Sequence, residues 1–244
     1  MKDIKIEDLT FAYSNQIEVL HHISLAVDKG ESVGLIGANG AGKSTLLKLL
    51  VGLAEGYRGN IILGGLPVEK KNLARIRAKA GYVFQDSESQ LFLSTVYEDV
   101  AFGPRNYGYT EEEVDGRVMG ALQKMHIEGL KDRQIYRMSG GQKKLASIAT
   151  ILSLDPEVML LDEPSVALDP RNRRTLIHIL NEIKETKVIA SHDLDMVWDT
   201  CERTILLSDG RVVKEGKTPD ILKDKELLEA NGLELPLSMQ RRDI

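Results

Sequence analysis

Apolar residues recur along this chain in two rhythms, and the change from one to the other divides it. Ile4–Leu9 and Val19–Val27 alternate apolar and polar side chains, the period of half-buried strands, and predict an antiparallel edge. SVGLI (Ser32–Ile36) is a continuous apolar run and predicts a strand covered on both faces. STLLKLLVGL (Ser44–Leu53) then spaces its leucines as one face of a helix. Ile61–Leu63 and Tyr82–Phe84 read as further short strands. From about Asp86 to Leu154 the pattern turns mostly helical, and Thr95-x-x-Glu98 and Thr110-x-x-Glu113 are capping boxes that start helices. Strand signals resume at Val158–Leu161. A helix over about Pro170–Lys184, a strand at Val188–Ala190 and a helix from Asp193 follow. Arg203–Ser208 and Arg211–Glu215 flank Asp209-Gly210, a hairpin signal. Thr218-Pro219 opens a C-terminal helical tail, read as N-cap and first helical residue. The alternation predicts an α/β fold with a mostly parallel core sheet, an antiparallel β edge and an inserted helical lobe.

Composition narrows the classes. A chain of 244 residues suits one large α/β domain, or one with an inserted lobe. Its net charge of −5 argues against a nucleic-acid binder that works by neutralising phosphates. Cys201 is the only cysteine, so no disulfide framework exists and a reducing compartment is expected. MKDIKIED lacks the apolar core of a signal peptide. The longest apolar stretch, Leu145–Leu154, is about half the ~20 residues a transmembrane helix needs. A cytosolic chain is expected, reaching a membrane only through a partner.

Chemistry enters between the predicted strand and helix. Gly37-Ala38-Asn39-Gly40-Ala41-Gly42-Lys43-Ser44-Thr45 has the spacing of a P-loop. Its glycines let backbone N–H groups converge on phosphate oxygens, and the following helix turns its positive end toward them. Lys43 then places a charge on the β/γ-phosphates, and the Ser44 hydroxyl is a ligand for Mg²⁺. Val158–Leu161 delivers Asp162 and Glu163 to the carboxyl end of a strand, where ligands sit in open parallel sheets. An aspartate there is placed to hold Mg²⁺ and the neighbouring glutamate to polarise a water. No cluster of metal-ligating spacing is present, so nucleotide-bound Mg²⁺ is the metal implied.

Met138-Ser139-Gly140-Gly141-Gln142 ahead of LLDEP resembles the signature motif of ABC-type ATPases, and the likeness runs from about Ile4 to Gly216. It implies roles for the rest of the set. Tyr13 is the adenine-stacking aromatic, Gln85 closes YVFQ as a ligand of Mg²⁺ and the attacking water, and Asp169 lies in SVALD. His192 follows KVIAS and positions the γ-phosphate, with Glu163 as general base. It also implies ATP as substrate and a second ATPase subunit, identical or homologous, whose P-loop nucleotide is gripped by Ser139, Gly140 and Gly141, with Gln142 opening a helix behind them. The chain departs from the family pattern at three places: Met138 for leucine, Leu145 for arginine, and the pair Val166-Ala167 for smaller residues in the turn before Asp169.

Phe84–Pro104 narrows the likeness. Phe84-Gln85, Gln90, Leu91-Phe92, Thr95-Val96, Glu98-Asp99-Val100 and Ala101–Pro104 resemble the segment after Gln85 in ATPases of energy-coupling factor importers, a group that includes cobalt and nickel uptake systems. LLEANGLELP (Leu227–Pro236) matches the same group's C-terminal extension. The resemblance implies a peripheral ATPase on the cytoplasmic membrane face. It would power import of a transition-metal ion or vitamin, docking transmembrane subunits at about Gln85–Pro104. Leu91 and Phe92, ahead of the Thr95 cap, are expected on the docking side. The domain is expected over 1–216, its lobe over about 86–154 and a helical extension over 217–244. A soluble ABC ATPase of an assembly system, such as iron–sulfur cluster biogenesis, is the alternative.

Overall fold

The computed structural model describes residues 1–13 and 17–240. Its strands and helices follow in chain order as β1 (Lys2–Ala12), β2 (Glu18–Asp28), β3 (Ser32–Ile36), α1 (Lys43–Leu50), β4 (Arg58–Leu63), β5 (Leu66–Pro67), α2 (Leu73–Lys79) and β6 (Ala80–Val83). Three helices come next: α3 (Val96–Asn106), α4 (Glu111–Lys124) and α5 (Gly140–Leu152). The chain then returns through β7 (Val158–Asp162), α6 (Pro170–Glu182), β8 (Thr186–Ala190), α7 (Leu194–Thr200), β9 (Arg203–Ser208) and β10 (Arg211–Lys217), ending in α8 (Thr218–Leu222) and α9 (Lys225–Ala230).

Two sheets form. The smaller runs β2-β1-β4-β5 and is antiparallel, the predicted edge. The larger runs β10-β9-β3-β8-β7-β6, parallel except for the β9–β10 hairpin. Alternate residues of its strands enter two cores, which is why those strands read as unbroken apolar runs. Val158 and Leu160 pack with α1 and the small sheet, while Met159 and Leu161 pack with α5, α6 and the lobe. Because β3 and β7 are both parallel to β8, the Ile36 and Asp162 ends lie on one edge, and the loops leaving them meet there. Among the described residues no helix is long and apolar enough to cross a membrane.

Some expectations change in detail. Helix α1 begins at Lys43 and ends at Leu50, and α6 stops at Glu182. Strand β4 starts earlier, at Arg58, because its first residues pair with Glu7 and Thr10 of β1. Helix α2 went unpredicted: Ile76 is its only buried residue, so it carries no apolar stripe to detect. Thr218 is not the N-cap of the tail helix. Lys217 holds that position, and the Thr218 hydroxyl turns inward to Thr204 Oγ1 at 2.9 Å. Both threonine capping boxes form as read, on α3 and α4.

Candidate functional site

The β3–α1 turn owes its path to glycine at two points. A Cβ on Gly37 would lie 2.2 Å from the Leu207 carbonyl oxygen of neighbouring β9. Gly42, the N-cap of α1, has φ 102° and would put a Cβ 2.7 Å from Leu20. The turn folds back on Lys43, whose Nζ donates to the Gly37 and Ala38 carbonyls at 2.7 and 3.2 Å. Burial pulls the Lys43 ammonium below its ordinary pKa, while the nearby charges of Glu163 and Asp162 oppose that shift.

Strand β7 brings its aspartate directly under α1. Ser44 Oγ donates to Asp162 Oδ1 at 2.9 Å, and the Tyr82 hydroxyl, from β6, donates to Oδ2 at 2.9 Å. Burial first, and then the Asp162 charge, push the Tyr82 phenol above its usual pKa, so it stays a donor. Glu163 takes the left-handed region, with φ 47°, and its N–H donates to the Ala190 carbonyl at 2.8 Å. This turn aims its carboxylate at the loop after β8. Ser191 Oγ donates to it at 3.1 Å, the His192 N–H at 3.1 Å, and His192 Nδ1 lies 2.8 Å from Oε2.

Gln85, Glu163 and His192 share one cavity of about 380 Å³ with Asn39–Thr45. Three separate segments therefore converge on the P-loop. Ser44, Asp162 and the Gln85 amide offer oxygen donors alone, which suits a hard cation such as Mg²⁺. Among the described residues no group of three or more His, Cys, Asp and Glu is arranged to hold a metal ion.

Other expected residues lie apart. Tyr13 reaches α1, its hydroxyl 3.1 Å from Thr45 Oγ1 and its ring edge-on to Phe11, but it does not line the cavity. Ser139 caps α5, accepting from the Gln142 N–H at 3.3 Å, while the Ser139 N–H donates to the Gln142 amide oxygen at 3.1 Å. Gly140 lines a second cavity of about 410 Å³ with Lys143, Lys144, Val166 and Ala167, which only Gln85 shares with the first. Asp169 caps α6 through the Arg171 and Asn172 N–H groups, both at 2.9 Å. Leu145, in place of the family's arginine, is buried in the apolar core of the lobe.

Tyr82, Ser191, Gln90 and Lys144 carry site contacts that pattern reading did not assign. Tyr82 had one usable signal, a polar hydroxyl inside a run otherwise apolar. One correction concerns the segment expected to dock a partner. Leu91 is 5 % exposed, packed with Val96 and Val100 inside the lobe, whereas Phe92 is 63 % exposed and stacks edge-on with Phe102 at 4.9 Å. Backbone N–H groups of Phe92 and Leu93 both donate to Asp99 Oδ1, and this tether turns one side chain in and the next out.

Residues 20–166 match the family model described as ABC transporter. A putative ABC transporter ATP-binding protein of Geobacter sulfurreducens is 47 % identical over 97 % of this chain and 95 % of its own length. An energy-coupling factor transporter ATP-binding protein of Methanothermobacter thermautotrophicus is 42 % identical over 96 % of this chain and 76 % of its own. Among solved structures, CbiO1 of Clostridium perfringens, described as part of the ABC transporter complex CbiONQ, superposes with a TM-score of 0.82 at 35 % identity, covering 94 % of each chain. The convergent P-loop site and relatives this similar over almost the full length lead to one conclusion: the chain belongs to the ABC transporter ATPases, the ATP-hydrolysing subunits of that family.

Proposed function

We propose that this subunit hydrolyses ATP at composite sites shared with a second ATPase subunit, and that it drives an energy-coupling factor importer for a transition-metal ion such as cobalt or nickel, or for a vitamin. The observation that carries the chemistry is the single cavity on which the P-loop, Gln85, Glu163 and His192 converge. Lys43 and the loop amides hold the phosphates. Mg²⁺ bound with the nucleotide would be held by Ser44, Asp162 and Gln85 and would neutralise phosphate charge. Glu163 acts as general base, its carboxylate pre-oriented by Ser191 and the His192 N–H. His192 Nδ1 faces that carboxylate, which leaves Nε2 for the γ-phosphate. Tyr13, beside the first turn of α1, stacks on adenine.

Ser139, Gly140 and Gly141 serve the partner's nucleotide. Folding of this chain gives no strong reason for the second glycine: a Cβ on Gly141 would meet nothing closer than 3.4 Å, and its φ is not positive. An anion approaching the N-terminus of α5 supplies the reason. Asp169 acts through the start of α6, beside the same face. On this reading 1–216 form the cassette, 86–154 its lobe and 217–244 an extension. Phe92 and Phe102, within the Gln85–Pro104 segment, receive the transmembrane subunit; their exposure supports that assignment, and the relative of energy-coupling factor type supports an importer.

Glu163→Gln tests the central claim, since it keeps the shape and one accepting oxygen but cannot take the proton. ATP binding is expected to persist, turnover to fall by about 100-fold or more, and an ATP-locked dimer to elute in gel filtration. Turnover near the wild-type rate would remove Glu163 as the base.

A further inference from the structure

Gln85 faces the P-loop cavity, and its backbone is held from behind by α5. Lys144, just past the first turn of that helix, is 1 % exposed, yet among the described residues it forms no ion pair. Its Nζ donates instead to the Phe84 and Gln85 carbonyls at 2.9 and 2.6 Å. Gln90 completes the grip. Its amide oxygen accepts from the Phe84 N–H at 3.1 Å, and its Nε2 donates to the Ser147 carbonyl at 2.7 Å and Thr150 Oγ1 at 2.8 Å, both on α5. Lys143 adds a tie to Glu88, on the turn that follows Gln85.

A buried ammonium satisfied only by carbonyls is an expensive way to join a strand end to a helix. Burial pushes Lys144 down to about 8. A methionine of similar length would pack at that point without desolvating a charge. What it could not do is hold two consecutive carbonyls at defined positions, which fixes the peptide plane between Phe84 and Gln85 and with it the direction of the Gln85 side chain. The same helix carries Ser139–Gly141 at its N-terminus.

We infer that Lys144, with Gln90, is a positioning residue that locks the backbone of Gln85 to α5, so that Gln85 and the Ser139–Gly141 turn move as one body. The inference rests on the roles given above to Gln85 and to that turn. It has a consequence for the dimer. Gln85 reads the nucleotide on its own P-loop, while Ser139–Gly141 of the same chain grips the nucleotide of the partner. A rigid α5 therefore links the two composite sites, and the clamp makes occupation of one felt at the other.

The test is a double-mutant cycle on the full chain with Mg-ATP. Lys144→Met is expected to leave ATP binding within about 2-fold, because the P-loop contacts persist, and to lower kcat by about 10- to 100-fold through misplacement of Gln85. Gln85→Ala should lower kcat to a similar degree, and the double variant should be no slower than the slower single one. Any cooperativity of turnover in ATP should fall in Lys144→Met. Gln90→Leu runs the same cycle if Lys144→Met does not fold, as judged by its circular dichroism. Losses that multiply, or an unchanged kcat in the clamp variants, would overturn the clamp while leaving the site reading in place. An unchanged kcat in Gln85→Ala alone would overturn the role of Gln85, and the clamp with it.

Discussion

Asp162 is held on both oxygens, and that double grip sets what each contact is for. Ser44 shares Oδ1 and would exchange it for the nucleotide's cation, whereas Tyr82 keeps Oδ2 from inside the sheet. Tyr82→Phe deletes one hydroxyl and leaves a buried carboxylate oxygen unpartnered, at about 1–3 kcal/mol. The expected outcome is a less stable protein that needs several-fold more Mg²⁺ for half-maximal turnover, with Mg-free nucleotide binding unchanged. A magnesium titration of the ATPase checks it, and an unchanged midpoint would show that Ser44 alone orients the carboxylate. Glu163 illustrates a different trade. Its left-handed backbone is disfavoured for a residue with a Cβ by about 1–2 kcal/mol. That conformation is what brings the carboxylate to Ser191 and His192.

Between elements, the loop after β8 is braced by a second charged contact. Arg173 of α6 donates to both oxygens of Asp193 at 2.6 and 2.7 Å, and Asp193 caps α7 by accepting from the Met196 N–H at 3.0 Å. Burial would raise the Asp193 pKa, but the Arg173 hydrogen bonds and the cap outweigh it and hold the carboxyl below its ordinary 3.8. A depressed folded-state pKa means that the stabilisation is complete above the unfolded value and is lost as pH falls through the folded one. Asp193→Asn should therefore lower the unfolding free energy by about 1.5–3 kcal/mol at neutral pH. Its deficit should shrink as urea titrations are repeated below about pH 4. A deficit that stays constant with pH would mean that the carboxylate charge contributes nothing there.

Across the assembly, two expectations separate composite sites from sites within one chain. Lys43→Ala cannot bind the phosphates well, and Gly141→Asp puts a negative side chain where an anion is to be gripped. Each homodimer should be nearly inactive, yet a mixed dimer retains one intact site, so mixing should restore a measurable fraction of turnover. Verified mixed dimers that remain silent would argue for sites contained in one chain or for strict coupling of the pair. For docking, the pair to change is Phe92 and Phe102, because Leu91 is core. Two such side chains buried against a partner contribute roughly 3–6 kcal/mol before association costs. Phe92→Asp with Phe102→Asp should keep ATPase activity but abolish co-purification with a transmembrane subunit. Intact assembly would place docking elsewhere, whereas an unaltered protein that co-purifies with no transmembrane subunit would favour the soluble-ATPase alternative.

Much of this protein could be read before any fold was known, and the readable parts share a cause. The P-loop, the Asp162-Glu163 pair, the capping boxes at Thr95 and Thr110 and the Asp209-Gly210 hairpin are set by interactions within a few residues, so their chemistry is written where it acts. The β3 run could be recognised as a covered strand, and the β7 and β8 runs as strands, from their local apolar pattern. Their order could not, because an unbroken apolar run does not say which neighbour it pairs with or which side chain enters which core. Everything that depended on that order waited for the tertiary structure: Tyr82 on Asp162 through the β6–β7 pairing, Ser191 on Glu163 through β7–β8, and Lys144 on Phe84 and Gln85 across the packing of α5. Leu91 and Phe92 make the same point at the surface. Adjacent and both apolar, they part company where the Phe92 and Leu93 N–H groups find one carboxylate, Asp99, seven and six residues ahead.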